Sequence, residues 1–136
     1  MIKLAFFGSR TLSDNRAKIL MYEAIELHKP EEIVTAGEPD GICRLAQEVA
    51  RELAIPLKLF FLNFKYLRGA FEHRSSDVIK YADHVVLIHD GVSKGTSNEL
   101  TQCKKMNREY TYLTLEPEHQ KEPVPVDWTK LPEDFS

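Results

Sequence analysis

The amino-acid sequence predicts one domain of the α/β class, in which helices cover both faces of a parallel β-sheet. Short, continuous apolar runs alternate along the chain with segments whose apolar residues recur every three or four positions. The first pattern is typical of strands buried on both faces, and the second of amphipathic helices. The 136 residues, 43% of them hydrophobic and 29% charged, suffice for one hydrophobic core.

Five strands and four helices are expected to alternate along the chain. The apolar runs predict strands over 2–7, 32–36, 57–62, 84–89 and 110–115, and the helical stripes predict helices over 17–28, 42–53, 71–81 and 96–107. Ser13 or Asp14 is expected to cap the first helix. Because consecutive parallel strands are joined by right-handed crossovers, this order predicts a doubly wound, Rossmann-like sheet within residues 1–115.

The composition changes after Leu115. Residues 116–136 contain four of the seven prolines and the only tryptophan, Trp128. Proline cannot donate a backbone hydrogen bond, so neither a helix nor a central strand is expected here. We expect an extended, proline-rich tail that packs on the domain through Trp128 and Phe135. A mobile tail that binds a partner is the alternative.

Charge and cysteine content limit the classes of function. The net charge of −3 and the isoelectric point near 6.0 argue against a protein that binds duplex nucleic acid, because such proteins need a basic face. The chain contains neither a leader-like segment nor an apolar stretch long enough to span a membrane. Cys43 and Cys103 lack redox and metal-ligand spacing and are expected to be small core residues. The sequence therefore predicts a cytoplasmic protein with reduced thiols, no metal and no membrane partner.

All six glycines follow predicted strands, whereas the loops that follow helices contain none. They are Gly8, Gly37, Gly41, Gly69, Gly91 and Gly95. In a parallel sheet the loops after the strands share the carboxyl edge, where ligands bind in open α/β folds. Glycine there lets backbone N–H groups approach a ligand closely. The asymmetry predicts a phosphate- or nucleotide-binding edge, but no loop matches the Walker or the G-x-G-x-x-G pattern, so no cofactor is expected.

The glycine-bearing loops occur in an order that resembles a known superfamily. The segments that carry the likeness are Gly8-Ser9-Arg10, Thr35-Ala36-Gly37 with Gly41-Ile42, Gly69-Ala70 with Arg74, Ala82-Asp83, and Asp90-Gly91 with Ser93-Lys94-Gly95-Thr96. From residue 3 to residue 115 the chain resembles the SLOG superfamily, and within it the small YspA-like proteins. That superfamily includes the lonely guy phosphoribohydrolases, which release a base from nucleoside 5′-monophosphates, the single-strand-binding DNA-processing protein and proteins regarded as nucleotide sensors.

The resemblance implies a ligand site with two catalytic residues, Arg74 and Glu99. Arg74 stands for the lonely guy arginine, and Gly95-Thr96-Ser97-Asn98-Glu99 for the G-T-x-x-E motif, which also occurs in nucleoside 2-deoxyribosyltransferases. The implied ligand- or phosphate-binding residues are Gly8, Ser9, Arg10, Gly37, Gly41, Asp90, Gly91, Ser93, Lys94, Gly95 and Thr96. Similar proteins commonly pair through helices, so a homodimer is also implied.

Arg74 and Glu99 each have a second interpretation. A glutamate near a helix N-terminus should stay ionised, which suits Glu99 as a nucleophile or as an electrostatic stabiliser of an oxocarbenium ion. Thr96-x-x-Glu99 is, however, also a formal capping box. Arg74 is also placed to form a surface salt bridge with Glu72 or Asp77. No residue is identified as the proton donor for a leaving base.

Three functions remain open at the level of the sequence. The first is a protein that binds a nucleoside monophosphate or an ADP-ribose-like ligand, with hydrolase or transferase activity on an N-glycosidic bond. The second is a non-catalytic nucleotide sensor. The third is a single-stranded nucleic-acid binder, which is weakened by the isoelectric point and by the lack of an evident aromatic and basic stacking groove.

Overall fold

The computed structural model describes residues 2–116, so the predicted tail beyond Glu116, with Trp128 and Phe135, lies outside the described residues. The strands are β1 (Lys3–Gly8), β2 (Glu32–Ala36), β3 (Leu57–Phe60), β4 (His84–His89) and β5 (Tyr110–Thr114). The helices are α1 (Asn15–His28), α2 (Gly41–Glu52), α3 (Ala70–Tyr81) and α4 (Lys94–Lys105). A short 3-10 segment, Phe64–Gly69, leads into α3.

The five strands form one sheet in the order β3-β2-β1-β4-β5, and every neighbouring pair is parallel. The chain winds outward from β1 through β2 to β3, crosses back to β4 beside β1, and continues outward to β5. This topology confirms the predicted doubly wound, Rossmann-like α/β fold. The direction of winding reverses between β1 and β4, and at such a point the loops on the carboxyl edge diverge and leave a crevice.

Helices cover both faces of the sheet, which explains why the strands are continuous apolar runs. On one face, Leu4 and Phe6 of β1 pack with buried residues of α1 and α2. On the other face, Ala5 and Phe7 pack with buried residues of α3 and α4. All four of these β1 side chains are at most 1% exposed. A strand whose side chains are buried on both faces cannot show the polar alternation of a half-exposed strand.

Helix α1 begins as the sequence predicted, whereas α4 begins earlier. The Asp14 carboxylate caps α1 by accepting a hydrogen bond from the Arg16 amide at 3.0 Å. In α4, Ser93 occupies the N-cap position, so Thr96 lies inside the first turn and Glu99 in the second. The capping-box interpretation of Thr96 and Glu99 is therefore wrong, because a capping box needs its first residue at the N-cap.

The 3-10 segment was not predicted from the sequence. Strand β3 ends at Phe60, two residues earlier than expected, and the Asn63 side chain accepts a hydrogen bond from the Lys65 amide where the segment begins. Leu67 within it has φ +50°, a left-handed conformation that breaks the helical repeat. Within residues 2–116, no helix is long and apolar enough to cross a membrane.

Candidate functional site

A cleft of about 280 Å³ opens at the carboxyl edge of the sheet, at the point where the winding reverses. The end of β1 and the loop after it, the loop between β2 and α2 with the start of α2, the first two turns of α3, and the first three turns of α4 line it. Eight of the residues that the sequence singled out lie in its wall: Gly8, Ser9, Arg10, Arg74, Ser93, Gly95, Thr96 and Glu99. The cleft therefore brings both implied catalytic residues and much of the implied binding set together.

Five other implied binding residues, Gly37, Gly41, Asp90, Gly91 and Lys94, do not line this cleft. Gly37 lies beneath the ring of Phe61, and a Cβ at this position would overlap that ring. Gly41 has φ +71° and packs directly against the backbone of Ser9 and Arg10, which only a residue without a Cβ permits. Asp90 and Gly91 border a separate shallow depression beside Leu115, and Lys94 is exposed at the start of α4.

Asp90 organises the loop between β4 and α4 from behind the cleft. Its carboxylate accepts hydrogen bonds from the Val92 and Ser93 amides and from the hydroxyl groups of Thr11 and Ser93, at 2.7–2.9 Å. Burial alone would raise the pKa of Asp90, but these hydrogen bonds outweigh it and hold the pKa well below its ordinary value. The Asp90 amide in turn donates to the Ser9 hydroxyl at 3.0 Å, which ties the β1 and β4 loops together.

Arg74 is buried in the wall of the cleft and pairs with a residue that the sequence did not suggest. Its Nη2 donates to Glu38 Oε2 at 2.6 Å, whereas Asp77 pairs with His73 at 3.2 Å. The expected surface salt bridge with Glu72 or Asp77 is therefore wrong. The Arg74 side chain is only 7% exposed, and its Nε has no hydrogen-bond partner among residues 2–116. A buried donor without a partner costs about 1–3 kcal/mol.

Glu38 lines the cleft and is a residue that the sequence reasoning did not single out. It lies in the loop before α2, whose backbone is held by two hydrogen bonds from the Gln47 side chain to the carbonyls of Ala36 and Glu38. Arg10 and Arg74 both donate to its Oε2, at 3.2 and 2.6 Å. Burial raises the pKa of Glu38, but these two guanidinium groups outweigh burial and hold the pKa below its ordinary value. An ionised carboxylate therefore lies in the cleft wall.

Glu99 differs from its expected state. Its carboxyl group accepts a hydrogen bond from the Ser75 hydroxyl at 3.0 Å. Burial is the main cause that raises the pKa of Glu99 to about 8, and the negative charge of Glu38 raises it further. The hydrogen bond from Ser75 and the positive charge of Arg74 lower the pKa, but they do not outweigh burial. The expectation of an ionised Glu99 is wrong, because α4 begins early enough to move this residue beyond the first turn, and desolvation outweighs the helix dipole there.

Both thiols are core residues, as the sequence predicted. Cys43 and Cys103 are 3% and 0% exposed, although Cys43 forms part of the cleft floor. Burial raises the pKa of the Cys43 thiol to about 12 and that of Cys103 to about 11. Neither is a thiolate at neutral pH, so neither can serve as a nucleophile. In the described part of the chain, no group of three or more His, Cys, Asp or Glu side chains is arranged to hold a metal ion.

Comparison with known proteins adds no assignment to this geometry. No model of a protein family matches the chain, and a search of curated proteins finds no significant relative. The likeness to the SLOG superfamily therefore stays a prediction, carried by the order of the loop segments.

Proposed function

We propose that the protein binds a nucleotide in this cleft through its phosphate, with a nucleoside 5′-monophosphate or an ADP-ribose-like molecule as the ligand. The observation that carries the proposal is the buried Arg74 guanidinium in the cleft wall, whose Nε has no hydrogen-bond partner among residues 2–116. Such a donor is stabilised when an anion accepts its hydrogen bond. Arg10 lies beside it and is 60% exposed, so a second guanidinium is available to the same anion.

The charge in the cleft is compatible with an anionic ligand. Arg10 and Arg74 carry two positive charges, Glu38 neutralises one of them, and the negative charge of Glu72, which also lines the cleft, is exposed to solvent and screened. Glu99 adds little negative charge at neutral pH because its pKa is raised to about 8. Gly95 and Thr96, in the first turn of α4, also line the cleft. Amides in the first turn of a helix lack intrahelical acceptors and favour anions.

The activity favoured for this site is hydrolysis of the N-glycosidic bond of a nucleoside 5′-monophosphate. Cleavage of that bond develops positive charge at the anomeric carbon and requires a proton for the departing base. Besides the exposed Glu72, two carboxyl groups that are largely shielded from solvent, those of Glu38 and Glu99, line the same cleft as the arginines. A non-catalytic sensor would need the arginines but neither carboxyl group. Ligand binding without base release would therefore place the protein in the sensor class.

A second candidate, binding of single-stranded nucleic acid, is favoured by one observation that the sequence did not lead us to expect. Phe61, Phe64, Tyr66 and Phe71 are all exposed, between 44% and 73%, and Phe71 lines the cleft. Exposed aromatic rings next to cationic side chains form stacking surfaces for bases. An affinity for short oligonucleotides that falls steeply with salt would favour this candidate.

Thermal melting with a panel of nucleoside monophosphates, ADP-ribose and ribose 5-phosphate tests the proposal. A ligand at about 100 times its Kd should add about 2.7 kcal/mol and raise Tm by roughly 5–10 °C. Arg74→Lys keeps a positive charge beside Glu38 but loses the guanidinium fork, so most of the shift should disappear. Arg44→Lys is the matched control, because Arg44 pairs with Glu48 on the exposed side of α2. An unchanged Tm for wild type across the whole panel would overturn the proposal.

A further inference from the structure

Two of the three carboxyl groups in the cleft, those of Glu38 and Glu99, have opposite environments, and each suits a different part of N-glycosidic cleavage. Resting on the proposed hydrolysis of a nucleoside monophosphate, we propose that Glu99 donates the proton to the departing base and that Glu38 is the carboxylate facing the anomeric carbon. The sequence analysis assigned Glu99 the role of the stabilising carboxylate and identified no proton donor. The assignment depends on what surrounds each carboxyl group.

Glu38 is held as a fixed negative charge. Both Arg10 and Arg74 bind Oε2, so neither ion pair engages Oε1. The side chain is 12% exposed, and its backbone is fixed by Gln47. A preorganised, largely buried carboxylate stabilises positive charge that develops beside it, without having to reorient during the reaction. With two guanidinium groups on one oxygen, Glu38 holds no proton to give.

Glu99 holds the proton that a leaving base requires. The groups facing it are Ser75 and Arg74 on α3, the Glu38 carboxylate, and the thiols of Cys43 and Cys103. Of these only Arg74 carries a positive charge, and Arg74 is engaged by Glu38 at 2.6 Å. The neutral carboxyl group is therefore favoured near pH 7. When two acids in one site have pKa values shifted apart, the group with the raised pKa acts as the general acid.

The proposed step balances as a hydrolysis. The C1′–N bond breaks, its electron pair goes to the base nitrogen, and that nitrogen takes the proton from Glu99. The Glu38 carboxylate stabilises the resulting oxocarbenium ion. Water then adds to C1′ and gives one proton to the Glu99 carboxylate. The products are the free base and ribose 5-phosphate, and Glu99 ends in its starting protonation state.

Two substrates that differ in the leaving group test the assignment. One is the nucleoside monophosphate that the wild type cleaves fastest, and the other is 4-nitrophenyl ribofuranoside 5-phosphate, whose phenolate departs without a proton. Glu99→Gln should lower kcat by ~100-fold or more on the nucleotide but by less than ~5-fold on the nitrophenyl substrate. Glu38→Gln should lower kcat by ~100-fold or more on both. For wild type, the rate on the nucleotide should fall above about pH 8, and Glu99→Gln should lack that fall.

Several outcomes would overturn the assignment. Equal losses on the two substrates in Glu99→Gln would remove it as the proton donor, and an unchanged rate in Glu38→Gln would remove the stabilising carboxylate. If Glu38→Gln fails to fold, Glu38→Asp keeps the charge beside Arg74 and should lower both rates by the same factor; unequal losses would contradict the assignment. Absence of base release by wild type, together with a raised Tm in the nucleotide panel, would overturn this inference and leave nucleotide binding in place. A flat panel would instead overturn the binding proposal.

Discussion

At the scale of single residues, the pair formed by Arg74 and Glu38 determines the character of the cleft. Both side chains are largely buried, at 7% and 12% exposure, and their contact at 2.6 Å joins α3 to the loop before α2. Removing one member of a buried pair leaves the other charge without compensation. The pair is therefore important for stability as well as for the proposed site.

We expect Glu38→Gln to lower the free energy of unfolding by about 3–5 kcal/mol, because the charge of Arg74 then stays buried without its partner. Glu48→Gln is the matched control, since Glu48 pairs with Lys18 and Arg44 at the surface of α2 and is 35% exposed. Glu48→Gln should change the free energy of unfolding by less than ~1 kcal/mol. Urea titration of both variants measures the difference. Similar midpoints for the two variants would show that the pair contributes little.

The sequence could suggest Arg74 and Glu99 but could not give their partners or their charge states. Both residues were found because the loop segments follow one another in a recognisable order. The partner of Arg74 lies 36 positions earlier in the chain and reaches it only through the winding of the sheet. The state of Glu99 depends on desolvation by packed elements, which no local pattern reports. Glu38 was overlooked because its two arginine partners lie far from it in the chain and could not be identified from the sequence.

At the scale of elements, the sequence predicts strands and helices well wherever their period is regular. The starts and ends of β2 and β4 match the prediction, since their apolar runs are bounded by clear turn residues. The 3-10 segment was not predicted because its exposed Phe64 and Leu67 follow neither the period of a helix nor that of a strand. The predicted start of α4 is too late in the chain, because serine and threonine are both common N-cap residues and the sequence offers Ser93 as well as Thr96. The hydrogen bonds that the Val92 and Ser93 amides donate to Asp90 fix this loop and identify Ser93 as the N-cap.

The loop between β4 and α4 should respond to acid through Asp90. Its folded pKa lies below the unfolded value of about 3.9, so it contributes stability that is present above about pH 4 and is lost as the pH falls further. Asp90→Asn removes the charge that four hydrogen bonds hold. We expect the variant to be less stable at pH 7 by about 1.5–3 kcal/mol. Its loss of stability between pH 5 and pH 3 should also be smaller than that of wild type. Parallel acid curves for the two proteins would contradict this role of Asp90.

Two glycines at the carboxyl edge should respond oppositely to the same substitution. A Cβ at Gly8 would overlap the side chain of Ile42 and the carbonyl oxygen of Ile88, so Gly8→Ala should destabilise the fold by about 1–3 kcal/mol. A Cβ at Gly95, in the first turn of α4, would meet no atom of the described residues within 4 Å. Gly95→Ala should therefore stabilise the fold by about 0.4–1 kcal/mol, since alanine restricts the unfolded chain. Melting curves should show a lower Tm for Gly8→Ala and a higher Tm for Gly95→Ala. A lower Tm for Gly95→Ala would mean that the first turn of α4 has no room for a Cβ.

At the scale of the whole molecule, the winding of the sheet explains both what the glycine pattern predicted and what it did not. The pattern correctly located the edge at which the cleft opens, because all strands of a parallel sheet end on the same side. It could not say how far each loop lies from the reversal between β1 and β4. Gly8 and Gly95 adjoin that reversal and line the cleft. Gly37 and Gly41 follow β2, one strand away, and their close contacts serve the packing of the loops.

The central claim is that Arg74 recognises a ligand phosphate in this cleft. Calorimetric titration of wild type and Arg74→Lys tests it most directly, using the nucleoside monophosphate with the largest Tm shift and the matching nucleoside. The nucleoside monophosphate should bind wild type more tightly than the nucleoside does. In Arg74→Lys this difference in binding free energy should be smaller by about 1–3 kcal/mol, and the affinity for the nucleoside should barely change. An equal contribution of the phosphate in both proteins would contradict the account.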